Sequence, residues 1–478
     1  MLKSIFSNKT FHYVTSRYLT LGLQFINAVL LGIYLGPYFL GIWGFIQLIV
    51  QYFNQLNLGI PHSMNNIISI NKNKKKYIEY AFNTALSMII LLSVFVAILF
   101  IANNISEINI GKEYQFNKYA FFVSGIVITN YLNNIFINLY RIHNKLSEII
   151  FSQTITPVLT LVCIVFFKGE NLLINLVITN LIAFTVSLLL FFKNSPVKIK
   201  PILAKSLFIE IKKRGGLLFV YNSSFYFIII STRTLISQNF SVEEFGIFTF
   251  SFSIASTIML LLDSLSFIIF PRMIYQFYNS KNEETISLLT DYRSKYVTLA
   301  HFMTHLGILC FPLVVFLLPE FAGGLKILSL VAITQVTYSN CFGYPVLLMA
   351  RKKDKQIAAI ALGALIFNIV LGYLFIHIYN FNFSTVILSS ASTYFIYNII
   401  IGSFAFKALD IKKSSIELFN SIYPFKLFIP YILGIVLILS TNNLIWYFII
   451  FGIFAILNLS ELKKVVDEVK FFLTSVKR

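Results

Sequence analysis

"TSRYLTLGLQFINAVLLGIYLGPYFLGIW" occupies residues 15–43 and carries a single charge, Arg17. Such a run is long enough to cross ~30 Å of hydrocarbon, where a charge is costly. The pattern places one span at 11–34 and a second at 38–61. The rest of the chain repeats it, with further apolar segments at 80–103, 118–140, 148–167, 171–192, 216–238, 245–270, 297–319, 325–350, 355–378, 384–406, 428–441 and 443–459. The last two are short and could be one hairpin, so twelve to fourteen helices are expected. Helix is the form that satisfies every backbone amide of an unclosed chain in lipid. A β-barrel would alternate apolar and polar residues, and these runs do not.

Composition agrees. The 478 residues are 57% hydrophobic and only 12% charged, with mean hydropathy +0.79. Soluble domains carry about 25% charge, so this chain cannot cover a globular surface. Cys163, Cys310 and Cys341 stand alone in apolar segments, with no CxxC or Cys/His cluster. No disulfide framework, metal site or cofactor is expected from them. No small-residue cleavage site follows Lys3 and Lys9, which reads as an uncleaved first span.

The net charge of +19 is mostly topology. With both termini cytosolic, the inward loops and tails hold 32 of the 38 Lys and Arg. The outer loops hold only Lys112, Lys118, Lys168 and Lys326. This is a positive-inside pattern, which sets orientation; the heavy use of Phe, Ile, Asn and Lys fits an AT-rich bacterial genome, so a bacterial cytoplasmic (inner) membrane is the expected location. Charge scattered over many short loops speaks against nucleic-acid binding. The tail 461–478 is expected to lie on the membrane surface, with Leu462, Val465, Val469, Phe472 and Val476 apolar and Lys463, Lys464 and Lys470 toward headgroups.

The chain also repeats itself. "YLGPYFLGIW" (34–43) matches "NFSVEEFGIF" (239–248), aligning Gly41 with Gly246. Pro61 aligns with Pro271, Arg141 with Arg351 and Lys145 with Lys355. Six spans per repeat gives parallel repeats. The expected architecture is an all-α polytopic membrane protein of 12–14 transmembrane helices, in two six-helix lobes around a central cavity. The lobes are drawn at 1–192 and 216–406, joined by a cytosolic linker at 193–215 and followed by two extra helices within 407–460.

Polar stripes mark the faces turned from lipid. Arg17, Thr20, Gln24 and Asn27 share one face of span 1; Gln47, Gln51 and Gln55 line span 2; Asn130, Asn134, Asn138 and Arg141 line span 4. Asn222, Tyr226, Arg233 and Ser237 line span 7, and Thr249, Ser253, Ser256 and Asp263 line span 8. Arg17 lies about six residues, or ~9 Å, inside its span. It either faces a watery cavity or snorkels to the interface. Asp263, the one carboxylate well inside a span, reads either as an H⁺ or Na⁺ coupling site or as an arginine's partner. Arg272 follows Pro271 at a cytosolic mouth. His62, His301, His305 and His377 read as structural before proton-carrying. The substrate-binding candidates are therefore Arg17, Gln24, Asn27, Gln51, Asn134, Tyr226, Arg233 and Arg272.

Taken together, Arg17 in span 1, "YLGPYFLGIWGF", "LNLGIPHSM", "LYRIHNK", "EEFGIF" and "FPRM" resemble the Wzx-type flippases. These form the polysaccharide-transport branch of the multidrug/oligosaccharidyl-lipid/polysaccharide exporter superfamily. The resemblance covers essentially the whole chain. It implies a two-lobed fold and transfer of an undecaprenyl-pyrophosphate-linked sugar unit to the outer leaflet by alternating access, for O-antigen or capsular polysaccharide synthesis. It also implies a lipid-tail groove beside spans 13 and 14, and glycan polymerases as partners. The residues suit such cargo: arginine forks onto phosphate oxygens, and amides and hydroxyls suit sugars. A multidrug and toxin extrusion antiporter is the nearest rival. It should place carboxylates in the first-half cavity, and spans 1, 2 and 4 have none. A membrane-embedded O-antigen polymerase or glycosyltransferase should carry a large outer loop. The longest here, about 104–117, is short and holds only Glu107 and Glu113. No catalytic arrangement is evident, so the chain reads as a non-enzyme.

Overall fold

A computed structural model describes residues 9–71, 74–105, 111–440 and 444–464. It is all-helical, with no strand among those residues. The first helices are α1 (Lys9–Gln55), α2 (Ile60–Ile70), α3 (Lys75–Ile105), α4 (Ala120–Ile142), α5 (Leu146–Phe166) and α6 (Gly169–Lys193). They are followed by α7 (Lys205–Asn239), α8 (Val242–Asn279), α9 (Asn282–Leu317), α10 (Leu325–Ser339) and α11 (Tyr344–Ala350). The chain continues through α12 (Asp354–His377), α13 (Leu388–Lys407), α14 (Ser415–Ile422), α15 (Phe425–Ser440) and α16 (Leu444–Leu457). Eight described helices are long and apolar enough to cross a membrane, or up to ten if each bent pair is one span. The chain is a polytopic membrane protein. Most of the expected surface tail, from residue 465 on, lies outside the described residues.

The expected break between spans 1 and 2 falls inside α1, at Gly36 (φ 67, ψ 173) just before Pro37. A left-handed φ favours glycine, and proline cannot donate the amide that would carry the helix on. Contacts divide the chain into a first compact unit, His12–Gly246, and a second that runs on from Ile247. Span 7, drawn with the second lobe in the sequence, is part of α7 and of the first unit.

The linker expected at 193–215 is irregular only as far as Ala204. From Lys205 it is α7, because Leu207 and Ile211 recur one turn apart and are buried, while Lys212 and Lys213 stay exposed. The irregular part is tied to α3. Asn83 donates to the Lys198 carbonyl at 2.9 Å and accepts from the Lys200 amide at 2.9 Å.

Helices α4 and α11 end in similar left-handed turns, at Asn144 and Lys352, two residues out of register with the alignment of Arg141 on Arg351. The amide of Lys145 donates to the carbonyl of Tyr140 around left-handed Asn144 (φ 55). The amide of Lys353 donates to the carbonyl of Leu348 around left-handed Lys352 (φ 57). Both close their helices in the way of a Schellman turn.

Sidedness remains a proposal, which cysteine labelling tests. Gly111 is a poor position for a label, since a Cβ there would lie 2.3 Å from the Phe45 ring. Glu113 and Lys198 are exposed. In intact cells, Glu113→Cys should react with an impermeant maleimide and Lys198→Cys should not; the reverse would invert the topology.

Candidate substrate-binding face

In the first unit, the stripe on α1 splits in two. Positions three apart on a helix differ by about 60° in direction. Thr20 and Asn27 are buried against α5: the Thr20 and Thr154 hydroxyls bond at 2.9 Å, and the Asn27 amide donates to the Pro157 carbonyl at 2.8 Å. Arg17 and Gln24 lie beside them, half-buried. Neither makes a side-chain hydrogen bond or ion pair among the described residues.

The second half of α1 is fastened to α7. Buried Arg233 donates from Nη1 to Gln51 Oε1 at 2.7 Å. The next residues along also meet, the Tyr52 and Thr234 hydroxyls at 2.6 Å, and Ser223 donates to the Gln55 carbonyl. Two sequence candidates, Gln51 and Arg233, are thus brought together, and the bond holds their side chains in place. Tyr226 shares the Arg233 face of α7 and is 37% exposed, so its ring is reachable from outside the unit.

On α4, the Asn130 amide donates to Asn54 Oδ1 on α1 at 2.8 Å, and Arg141 donates to Asn138 Oδ1 at 2.7 Å. Asn134 lies between them, half-buried, its side chain without a hydrogen bond among the described residues. The first unit therefore offers Arg17, Gln24, Asn134 and Tyr226 as accessible polar groups. Asn27, Gln51 and Arg233 are engaged internally. In the second unit, Arg272 is exposed on α8; Asp263 also falls on α8, but its side chain lies outside the described residues.

Helices α1, α2 and α4 contain no acidic residue. Their polar residues are cations, amides and hydroxyls, which suit an anion flanked by hydroxyls and give a cation no counter-charge. Elsewhere in the unit, two glycines meet. A Cβ on Gly41 would lie 2.1 Å from the Val242 carbonyl oxygen, and one on Gly246 would lie 1.8 Å from that of Pro37. Tyr114 stacks on Phe45 at 4.3 Å and donates to the Ser237 carbonyl at 2.8 Å.

No protein-family model matches the chain, and no curated protein matches it. Solved structures do. A lipid II flippase, MurJ, in an inward closed conformation superposes with a TM-score of 0.69 at 14% identity, covering 96% of this chain and 99% of that one. A point mutant of a MATE gives 0.61 at 13% identity, over 85% of this chain and 96% of its own. A MATE in the straight conformation gives 0.63 at 11% identity, again over 85% and 96%. The fold is that of MurJ and the MATE transporters. Within this MurJ/MATE fold, the two MATE chains are almost fully matched yet leave part of this chain uncovered, and MurJ leaves very little.

Sequence reading missed several residues that fix the helices in both units. Tyr52 and Thr234 look like ordinary members of apolar runs, and only their partners reveal them. Gly343, with φ 89 ahead of Pro345, repeats the Gly59–Pro61 break (Gly59 φ 68) and was legible as a second G-x-P. Arg293 sits just before a predicted span and looks like another basic loop residue, yet it is buried.

Proposed function

We propose that this protein is a flippase that moves an undecaprenyl-diphosphate-linked oligosaccharide from the inner to the outer leaflet of a bacterial cytoplasmic membrane, for surface polysaccharide synthesis. The observation that carries the reading is Arg17. Its guanidinium lies half-buried on a first helix without carboxylates and has no ion-pair partner among the described residues. An unpaired cation beside lipid is costly unless water or an anionic cargo compensates it. Gln24, Asn134 and Tyr226 would meet sugar hydroxyls, and Asp263 would serve ion coupling. Arg233 would act through Gln51, positioning the α1–α7 contact. The near-complete match to the fold of a lipid II flippase supports the same reading.

A cation antiporter is the second reading, favoured by the MATE likeness over 85% of the chain. It lacks the acidic groups on α1, α2 and α4 that a cationic cargo would need. Loss of the gene separates the two. Under the flippase reading, cells without the protein accumulate a lipid-linked glycan on the inner leaflet and lose surface glycan. An antiporter mutant would instead keep its glycan and become sensitive to cationic dyes.

A further inference from the structure

In the second unit, a cavity of about 300 Å³ opens where α9, α14 and α15 meet residues 458–461. That volume is at the lower edge of small-ligand pockets, ~300–1,000 Å³. Its lining includes Arg293, Lys413 and Lys426, with Glu461 as the acidic member. Glu461 already faces Lys464 at 3.2 Å. No carboxylate pairs with any of the three cations among the described residues. Arg293 is 6% exposed and gives its bonds to neutral carbonyls: Asn340 and Phe342 at 2.7 Å and Ile422 at 3.1 Å. Its guanidinium lies 3.8 Å over the Tyr344 ring, which holds the plane in place. Lys413 donates to the Ser421 hydroxyl at 2.5 Å and sits 4.1 Å over the Phe406 ring. Burial lowers the pKa of Lys413, and Glu417 opposes that shift. An anion in the cavity would favour its charged form further.

The rim is apolar. Helix α14 starts in a capping box, Ser414 with Glu417, and meets α15 at a bend of 73°. Ile416 is 72% exposed, and Phe425 and Ile429 are 47% each. A short helix lying across the end of a span, with exposed apolar residues beside a cationic pocket, has the shape of a membrane-interface site. Basic pockets between spans on the cytoplasmic side bind anionic lipid headgroups. A free anion would leave the exposed apolar residues of α14 and α15 unexplained.

We propose that this pocket binds the phosphate headgroup of an anionic membrane phospholipid, with Lys413 and Lys426 at its mouth and Arg293 at its floor. The site is separate from the Arg17 face and independent of the cargo. The lipid acts as a clamp on the α9–α14–α15 corner.

Thermal melting of the purified full chain in mixed micelles tests this. Dioleoylphosphatidylglycerol should raise the melting midpoint above that in dioleoylphosphatidylcholine. The double variant Lys413→Gln/Lys426→Gln should lose at least half of that increment. Each variant's increment is read from its own midpoint in phosphatidylcholine, because losing the Lys413–Ser421 bond lowers the midpoint in both lipids. Lys426→Gln alone, at an exposed residue whose side chain makes no hydrogen bond among the described residues, should lose a measurable part if the double variant folds poorly. Lys198→Gln/Lys205→Gln, an equal charge loss on the first unit, should keep the full increment. The proposal fails if the pocket variants keep the increment or the control pair loses as much. It also fails if inorganic phosphate alone reproduces the increment, or if undecaprenyl diphosphate stabilises and phosphatidylglycerol does not.

Discussion

Arg17→Gln is expected to lower translocation of a diphosphate-linked lipid by about tenfold or more, while Arg17→Lys keeps a substantial fraction. A hydrogen bond to a charged group contributes about 1.5–3 kcal/mol, which corresponds to roughly ten- to a hundredfold in affinity. Glutamine removes both the charge and the fork; lysine keeps the charge alone. The structure makes this variant informative. Arg17 has no bond to a neighbouring side chain among the described residues, so its loss should not loosen α1. Membrane abundance of each variant, measured alongside transport, checks that. Asn27→Ala provides the contrast: it frees the Pro157 carbonyl and should cost stability before it costs cargo recognition. Native-rate transport by an abundant Arg17→Gln protein would mean that Arg17 is a snorkelling anchor.

Gly246→Val should be among the most damaging single changes in the first unit. The new Cβ would stand 1.8 Å from the Pro37 carbonyl oxygen and 3.0 Å from the Gly41 amide nitrogen, both backbone atoms. Neither can rotate away, so α1 and α8 must separate. Overpacking of this kind typically costs about 1–3 kcal/mol, and rigid backbone on both sides puts this site at the upper end. Gly246→Ala already introduces the clash, and Gly41→Ala meets the Val242 carbonyl at 2.1 Å. Gly22→Ala is the control, because a Cβ there meets nothing within 4 Å. In a helix it should be neutral or stabilising by up to about 1 kcal/mol. Melting curves of the four variants should separate Gly22→Ala from the rest. Equal melting of Gly246→Val and the native protein would show that the helices do not approach so closely.

The glycine pair also shows what could be read from the sequence. The alignment of Gly41 with Gly246 singles out two small residues, and small residues in spans signal close packing. Spacing along one helix gives no information about which second helix arrives, so their mutual contact was not legible. The same limit applies to the site. Arg17 stood out because it is the one charge in an apolar run. That Thr20 and Asn27 turn toward α5 while Arg17 and Gln24 do not depends on the neighbouring helix. The spans were legible because hydrocarbon demands uninterrupted apolar helix. The linker was less so, since its lysines hid the buried Leu207 and Ile211 that make it helical. Arg293 was lost for a related reason. A cation just outside a span normally marks topology, and here carbonyls from residues 340, 342 and 422 converge on it from distant parts of the chain.

The most direct measurement of the central claim uses purified protein in sealed vesicles. An undecaprenyl-diphosphate-linked oligosaccharide is placed in one leaflet, and its arrival in the other is followed by accessibility to a glycan-cleaving enzyme. Cationic dye uptake is measured in the same preparation. The account predicts glycan translocation well above that of empty vesicles, loss of most of it in Arg17→Gln, and no dye transport. Dye movement driven by an ion gradient, without glycan translocation, would contradict it.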